Sequence, residues 1–271
     1  MTIAIANAAR AKVSVDADAQ ACWRAFTRPE SLTAWYAERV EGDVVEGSRI
    51  ELCWDSLGRS IELEVLEASP PHRLCLRAQP PERPPQIQRV EIRPRGRDCE
   101  VEILHEGFAE GPGGEDERAG SEAGWRAALM TLARYIERYD GRSRVVASAV
   151  ATSIARPEEA YRQLARAVGL GKSAAEGDRF TLSLPSGRRC PGEVLVAAPP
   201  HHLLVALPAI EGVAALRTFP IGAAEAPESA IVAAQLGSWS LSQHALDELQ
   251  SGAEALVARA IAALGGPAAE A

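Results

Sequence analysis

Residues 65–74 read VLEASPPHRL and residues 194–203 read VLVAAPPHHL, with seven of the ten positions identical and the double proline at the same place in both. The flanks agree in kind. Cys22-Trp23-Arg24-Ala25-Phe26 precedes the first stretch as Ala160-Tyr161-Arg162-Gln163-Leu164 precedes the second, each after a short β-like run. Downstream, each half closes on a long amphipathic segment. A repeat distance of about 130 residues is that of a duplicated domain and far too long for a solenoid. The order strand, helix, several strands, long helix therefore occurs twice. The seam is expected near Asp140-Gly141-Arg142-Ser143, where a glycine follows an arginine-rich helix end, which gives domains 1–143 and 144–271.

Periodicity fills in each copy. Ile50, Leu52 and Trp54 alternate with Glu51, Cys53 and Asp55; Ile61, Leu63 and Val65 alternate with Glu62, Glu64 and Leu66; Val101, Ile103 and His105 alternate with Glu100, Glu102 and Leu104. One apolar and one largely acidic face predict a half-solvated antiparallel sheet. Pro70-Pro71 cannot donate to a ladder and belongs in the turn between two strands. Trp125, Leu129, Leu132, Ile136 and Tyr139 step by four and three along one helical stripe, as do Leu246, Leu249, Ala253, Leu256 and Ala260. The fold class is α+β: two tandem domains, each a curved antiparallel sheet wrapped around a long C-terminal helix.

Composition narrows the function. The 271 residues carry 29 basic against 37 acidic side chains, a net charge of −8, which argues against a nucleic-acid binder that neutralises phosphates. No run approaches the roughly 20 apolar residues of a spanning helix, and the opening MTIAIANAAR lacks the basic start of a secretory signal, so a cytoplasmic protein is expected. Cys22, Cys53, Cys75, Cys99 and Cys190 are odd in number and never spaced as CxxC, the pattern of reduced thiols rather than of a disulfide framework or a zinc site.

With these residues placed, the first copy resembles the SRPBCC (START-like, helix-grip) superfamily, in the branch related to the activator of the heat-shock protein 90 ATPase. The resemblance rests on Cys22 to Thr27, Pro29-Glu30, Trp35-Tyr36, Val65 to Leu74, His105-Glu106-Gly107-Phe108 and Gly124-Trp125, in the family's order. The second copy, over about residues 145–264, keeps Tyr161, Pro199-Pro200 and the closing helix. It has Leu236-Gly237-Ser238-Trp239 where the first has His105 to Phe108, and it lacks the Trp35-Tyr36 segment. The resemblance implies a hydrophobic cavity between sheet and helix for an apolar, polycyclic or polyketide-like molecule, with no shared catalytic constellation; no cofactor is expected, and the cysteine spacing and the His201-His202 pair predict no metal. Its name also implies a protein partner.

The candidate site follows. Trp35, Tyr36, Trp54, Phe108 and Trp125 are either cavity walls or plain core. Leu63, Ile92, Val101 and Ile103 would form the sheet side of the cavity, and Leu129 and Leu132 the helix side. His105, on the strand face of Val101 and Ile103, either orients a ligand carbonyl, serves as a general base in a cyclase-like enzyme, or is structural. His201-His202 occupy adjacent strand positions, so their rings diverge and do not chelate. Gly169 to Ser173 read GLGKS, but Arg166 stands where a phosphate loop needs its first glycine, so a helix-ending turn is expected. The glycine-rich stretch 107–124 reads as a mobile loop, or as a lid carrying Gly111, Gly113 and Gly114. Similarity to START-like proteins of enediyne antibiotic clusters, which protect the host by sacrificing themselves, implies that one of these glycines donates a Cα hydrogen to a bound diradical.

Overall fold

A computed structural model describes residues 7–81, 83–171, 174–221, 228–240, 242 and 246–264, and the chain divides into units 1–143 and 144–271. The first unit runs β1 (Ala9–Val15), α1 (Ala19–Thr27), α2 (Pro29–Trp35), β2 (Arg39–Glu41), β3 (Arg49–Trp54), β4 (Arg59–Ser69), β5 (Arg73–Ala78), β6 (Gln86–Arg95), β7 (Asp98–Glu106) and α3 (Pro112–Arg134). Its strands form one antiparallel sheet in the order β1-β7-β6-β5-β4-β3-β2. The second unit runs β8 (Val145–Ser153), α4 (Pro157–Ala167), β9 (Arg179–Ser183), β10 (Arg189–Ala198), β11 (His202–Leu207), β12 (Gly212–Ile221), β13 (Ser229–Ser238) and α5 (Leu246–Ala262). Its sheet is also antiparallel, in the order β8-β13-β12-β11-β10-β9. Among the described residues, no helix is long and apolar enough to cross a membrane.

The internal repeat extends to single hydrogen bonds. Both proline pairs, Pro70-Pro71 and Pro199-Pro200, are cis and lie in the turns leading to β5 and β11. Ile92 N–H donates to His72 C=O at 2.8 Å, as Thr218 N–H donates to His201 C=O at 3.1 Å. A register shift interrupts β4 between Val65 and Glu67, and β10 between Val194 and Val196. The second copy differs where its sequence does: one helix, α4, stands in place of α1 and α2, and the short strand β2 has no counterpart among the described residues.

The alternating strands bury the faces their pattern dictates. In the first sheet Leu52, Leu63, Leu74, Val90 and Ile103 are buried toward the helices. The other face is a lattice of cross-strand ion pairs rather than bare acid. Arg93 meets Glu102 at 2.6 Å and Arg89 meets Glu106 at 2.9 Å, while Arg10 also pairs with Glu102. The closing helices bury the expected stripes, Trp125, Leu129 and Leu132 on α3 and Leu249, Ala253, Leu256 and Ala260 on α5. Ile136 and Tyr139 follow in a single π turn, also buried.

Candidate functional site

The interior of the first domain is organised by a chain of aromatic rings. Asp18 caps α1 by accepting from Ala21 N–H at 2.7 Å, and Pro29 opens α2, its missing N–H harmless at that position. The Trp35 indole N–H donates to Ala25 C=O at 2.8 Å and so ties α2 to α1. Tyr36 follows at the helix end, and Trp54 Nε1 donates to its C=O at 3.1 Å. The Tyr36 ring is thereby held among three others. It stacks on Trp125 (centroids 5.3 Å apart, planes at 18°), tilts against Trp35 at 5.0 Å and meets Trp54 edge-on at 5.4 Å. Phe26 completes the group, edge-on to Trp35 at 5.2 Å. Tyr36 alone of these five is half-buried; the others are buried.

These rings fill the space that the sequence reading left open. The remaining cavity is about 20 Å³, and no charged side chain lines it. That is room for about one water molecule, whereas ligand pockets run to roughly 300–1,000 Å³. The expected open cavity is therefore corrected to a closed one: rings placed as walls pack against each other instead.

Four of the expected site residues line the remnant: Trp35, Tyr36, Ile103 and Trp125. Trp54 does not line it and meets Tyr36 edge-on. Leu63, Ile92, Val101, Leu129 and Leu132 are fully buried core away from it, and Phe108 packs on the His105 ring at 4.9 Å. The sequence reading placed Ile50 and Leu52 on an apolar strand face without naming them as lining residues, and missed Phe26, Leu32, Leu74, Leu76, Gln88 and Val90. For Leu74, Leu76 and Val90 the signal was present, since each continues an alternating strand. Gln88 gave none, being a polar residue at an inward position.

His105 is 7% exposed. Its Nδ1 accepts the Trp125 indole N–H at 3.2 Å, its Nε2 has no partner among the described residues, and burial pushes its pKa down to about 4. It does not line the remnant cavity, but two of its neighbours do: Trp125, and Gln88 directly opposite on β6.

The glycine-rich lid is also corrected. Helix α3 begins at Pro112, so Gly113 and Gly114 lie in its first turn and only 107–111 is loop. The reason is a close approach: a Cβ on Gly114 would stand 1.8 Å from Ala109 C=O, which lets the loop fold back onto the helix start. Gly111 precedes the helix at φ +88°, with nothing within 4 Å of a Cβ there. In the second unit Gly169, at φ +99°, follows α4 and donates its N–H to Arg166 C=O; Lys172 and Ser173 lie outside the described residues. His202 is buried at the start of β11 and His201 precedes it in the turn. No group of three or more metal-ligating side chains occurs among the described residues.

A groove of about 420 Å³ lies in the second unit between the ends of α4 and α5 and strand β9. It is a surface depression, and its Arg166 and Arg259 stand in the last turns of those helices, where cations offset the carbonyl ends.

Compared with known proteins, residues 16–137 match the family described as Activator of Hsp90 ATPase homolog 1-like protein. No curated protein matches the chain. Among solved structures, DynU16, a protein in the dynemicin biosynthetic locus, is 18% identical over 97% of this chain and 99% of its own, with a TM-score of 0.44. The di-domain ARO/CYC BexL from the BE-7585A biosynthetic pathway is 15% identical over 97% of this chain and 99% of its own, TM-score 0.44. CalU16 from Micromonospora echinospora is 22% identical over 48% of this chain and 76% of its own, TM-score 0.41.

Proposed function

We propose, from the match of residues 16–137 to the family described as Activator of Hsp90 ATPase homolog 1-like protein, that the first domain binds a flat, apolar, polycyclic small molecule between its sheet and α3. The role is carriage or sequestration in natural-product metabolism. One observation carries the reading: the half-buried Tyr36 ring, stacked on Trp125, closes an interior whose lining is apolar apart from Gln88. A planar ligand can take that ring's place and regain the stacking that Trp125 and Trp35 lose. Binding follows opening, in which Tyr36 and the seven-residue α2 that carries it move outward.

An enzymatic role for His105 has less support. A general base works best with a pKa near the working pH, whereas this imidazole lies at about 4 and desolvation is its one source of shift. Tryptophan-fluorescence titration tests the proposal with three probes: palmitate, 9,10-anthraquinone and an enediyne. Four of the five tryptophans, including Trp35, Trp54 and Trp125, lie in the first domain. Saturable quenching by the planar polycycle is expected. Silence from all three probes would overturn the reading in favour of a protein partner, tested by stimulation of Hsp90 ATPase activity.

A further inference from the structure

The ligand reading above has a consequence for which molecule is held. We infer that His105 and Gln88 form a hydrogen-bonding end of this site, which selects a planar apolar ligand bearing a neutral acceptor, such as an aryl ketone or quinone, over the bare hydrocarbon. This inference rests on that reading.

Tautomer logic comes first. An indole N–H donates and cannot accept. Its 3.2 Å contact with His105 therefore makes Nδ1 the unprotonated nitrogen, and the neutral ring carries its hydrogen on Nε2. That Nε2–H is a donor in a side chain more than nine-tenths buried, and no group among the described residues receives it. Buried donors without acceptors are rare in native proteins and call for a specific explanation, a ligand being one.

Position comes second. Trp125 presents its face to Tyr36 and its N–H edge to His105. A planar molecule that replaces the Tyr36 ring on that face, and extends past the indole edge, meets His105. Gln88 stands across from His105 in the β6–β7 ladder, is 8% exposed, and is among the residues that line the cavity. The lining holds no cation, so a carboxylate would be buried without a counter-charge, whereas a carbonyl oxygen needs only the donor.

The second copy supplies an internal control. The matched bonds Ile92-to-His72 and Thr218-to-His201 set the correspondence between β6 and β12, and it places Ala214 where Gln88 stands. Ala214 pairs with Leu236, the residue in the place of His105. Both polar members of the corner are thus apolar in the copy that lacks the ring plug.

The test compares 9,10-anthraquinone with anthracene, the same skeleton without carbonyls, on the full chain by fluorescence titration. The wild type is expected to prefer the quinone about tenfold, the worth of one buried hydrogen bond. His105→Phe should bring that ratio close to one, and Gln88→Leu should lower it in part. A ratio near one in the wild type, or unchanged in His105→Phe, overturns this inference and leaves the ligand reading standing. Binding of neither probe overturns both. Should His105→Phe fail to fold, ¹⁵N NMR of the wild-type imidazole decides: an Nε2–H tautomer that shifts on quinone addition is expected, and a proton on Nδ1, or no shift on saturation with quinone, refutes it.

Discussion

Replacing Tyr36 by alanine should make the protein less stable and its ligand binding tighter. The ring makes three aromatic contacts, at 5.0, 5.3 and 5.4 Å. Such pairs are each worth about 0.5–1.5 kcal/mol beyond the area they bury, so swinging the ring out costs roughly 2–4 kcal/mol. The open form is then populated in roughly one molecule in thirty to one in a thousand, and apparent affinity is reduced by that fraction. Tyr36→Ala removes the plug in advance. Its melting temperature should fall by roughly 5–12 °C, followed by far-UV circular dichroism. Its Kd for anthraquinone, read by tryptophan quenching, should drop by about tenfold or more after allowance for the ring's own contact with the ligand. Tyr36→Phe keeps the ring and should bind anthraquinone no tighter than wild type. A Tyr36→Ala protein that melts earlier yet binds no tighter, or binds more weakly, would show Tyr36 to be a wall rather than a plug and refute the reasoning.

Other consequences are open to direct measurement. Because the His105 pKa falls from 6.5 to about 4 on folding, the unfolded chain binds more protons between those values. The contribution is full above about pH 6.5 and is lost as pH falls toward 4, amounting to about 3 kcal/mol. Urea midpoints at pH 7.5, 5.5 and 4.5 should therefore fall more steeply for wild type than for His105→Phe, and parallel slopes would contradict the assignment. A residual slope from His202, whose pKa burial also lowers, remains in both proteins. Gly107→Ala would set a Cβ 2.2 Å from Pro85 C=O at φ +98°, so a loss of ~2 kcal/mol or more is expected. Gly58→Ala, left-handed at φ +59° with nothing near its Cβ, should lose only about 1 kcal/mol, and equal urea midpoints for the two would refute the steric account. All five cysteines are buried and burial raises their pKa values, that of Cys22 to about 12. Iodoacetamide at pH 8 should leave the native protein unmodified and label all five positions in urea; labelling of the native chain, read by mass spectrometry, would contradict this.

The sheets and closing helices were legible because they repeat simple periods. Two-residue alternation in Ile50 to Trp54 and Val101 to His105, and the three-four stepping from Trp125 to Leu132, each identify a buried face without knowledge of what covers it. The start of α3 was not legible. Gly111-Pro112-Gly113-Gly114 has the composition of a loop, and each glycine inside a helix costs about 1 kcal/mol against alanine. What fixes that turn is the contact of Gly114 with Ala109, a relation between backbones that leaves no period in the sequence. The interior was half legible for a related reason. Composition and alternation said that Trp35, Tyr36 and Trp125 face inward, but whether inward rings line a space or close it depends on the angles at which they meet. The 18° stack of Tyr36 on Trp125 is set by the end of α2 and by the Trp54 hydrogen bond to the Tyr36 carbonyl.

The two copies also indicate which features of the first are dispensable for the fold. The second unit forms the same antiparallel meander and closing helix, with Leu164, Leu203, Leu207, Leu216 and Leu256 all fully buried, and without a counterpart to Trp35-Tyr36. Leu236, in the place of His105, sits in that core, and its Cδ2 would be 3.2 Å from a Cβ on Gly252 of α5. A helix-grip interior therefore closes adequately with leucine at this position. Histidine there leaves one buried donor unpaired, a loss of about 1–3 kcal/mol relative to a satisfied arrangement. Folding alone gives no reason to carry that loss in one copy when the other shows the apolar solution within the same chain. Departures from local consistency that lack a structural return concentrate at functional sites. The same reasoning applies to Tyr36, whose half-exposed ring closes the first domain where the second needs no such ring. The plug and the unpaired donor lie on two sides of one indole, Trp125, so an occupant that displaces the first is placed to satisfy the second.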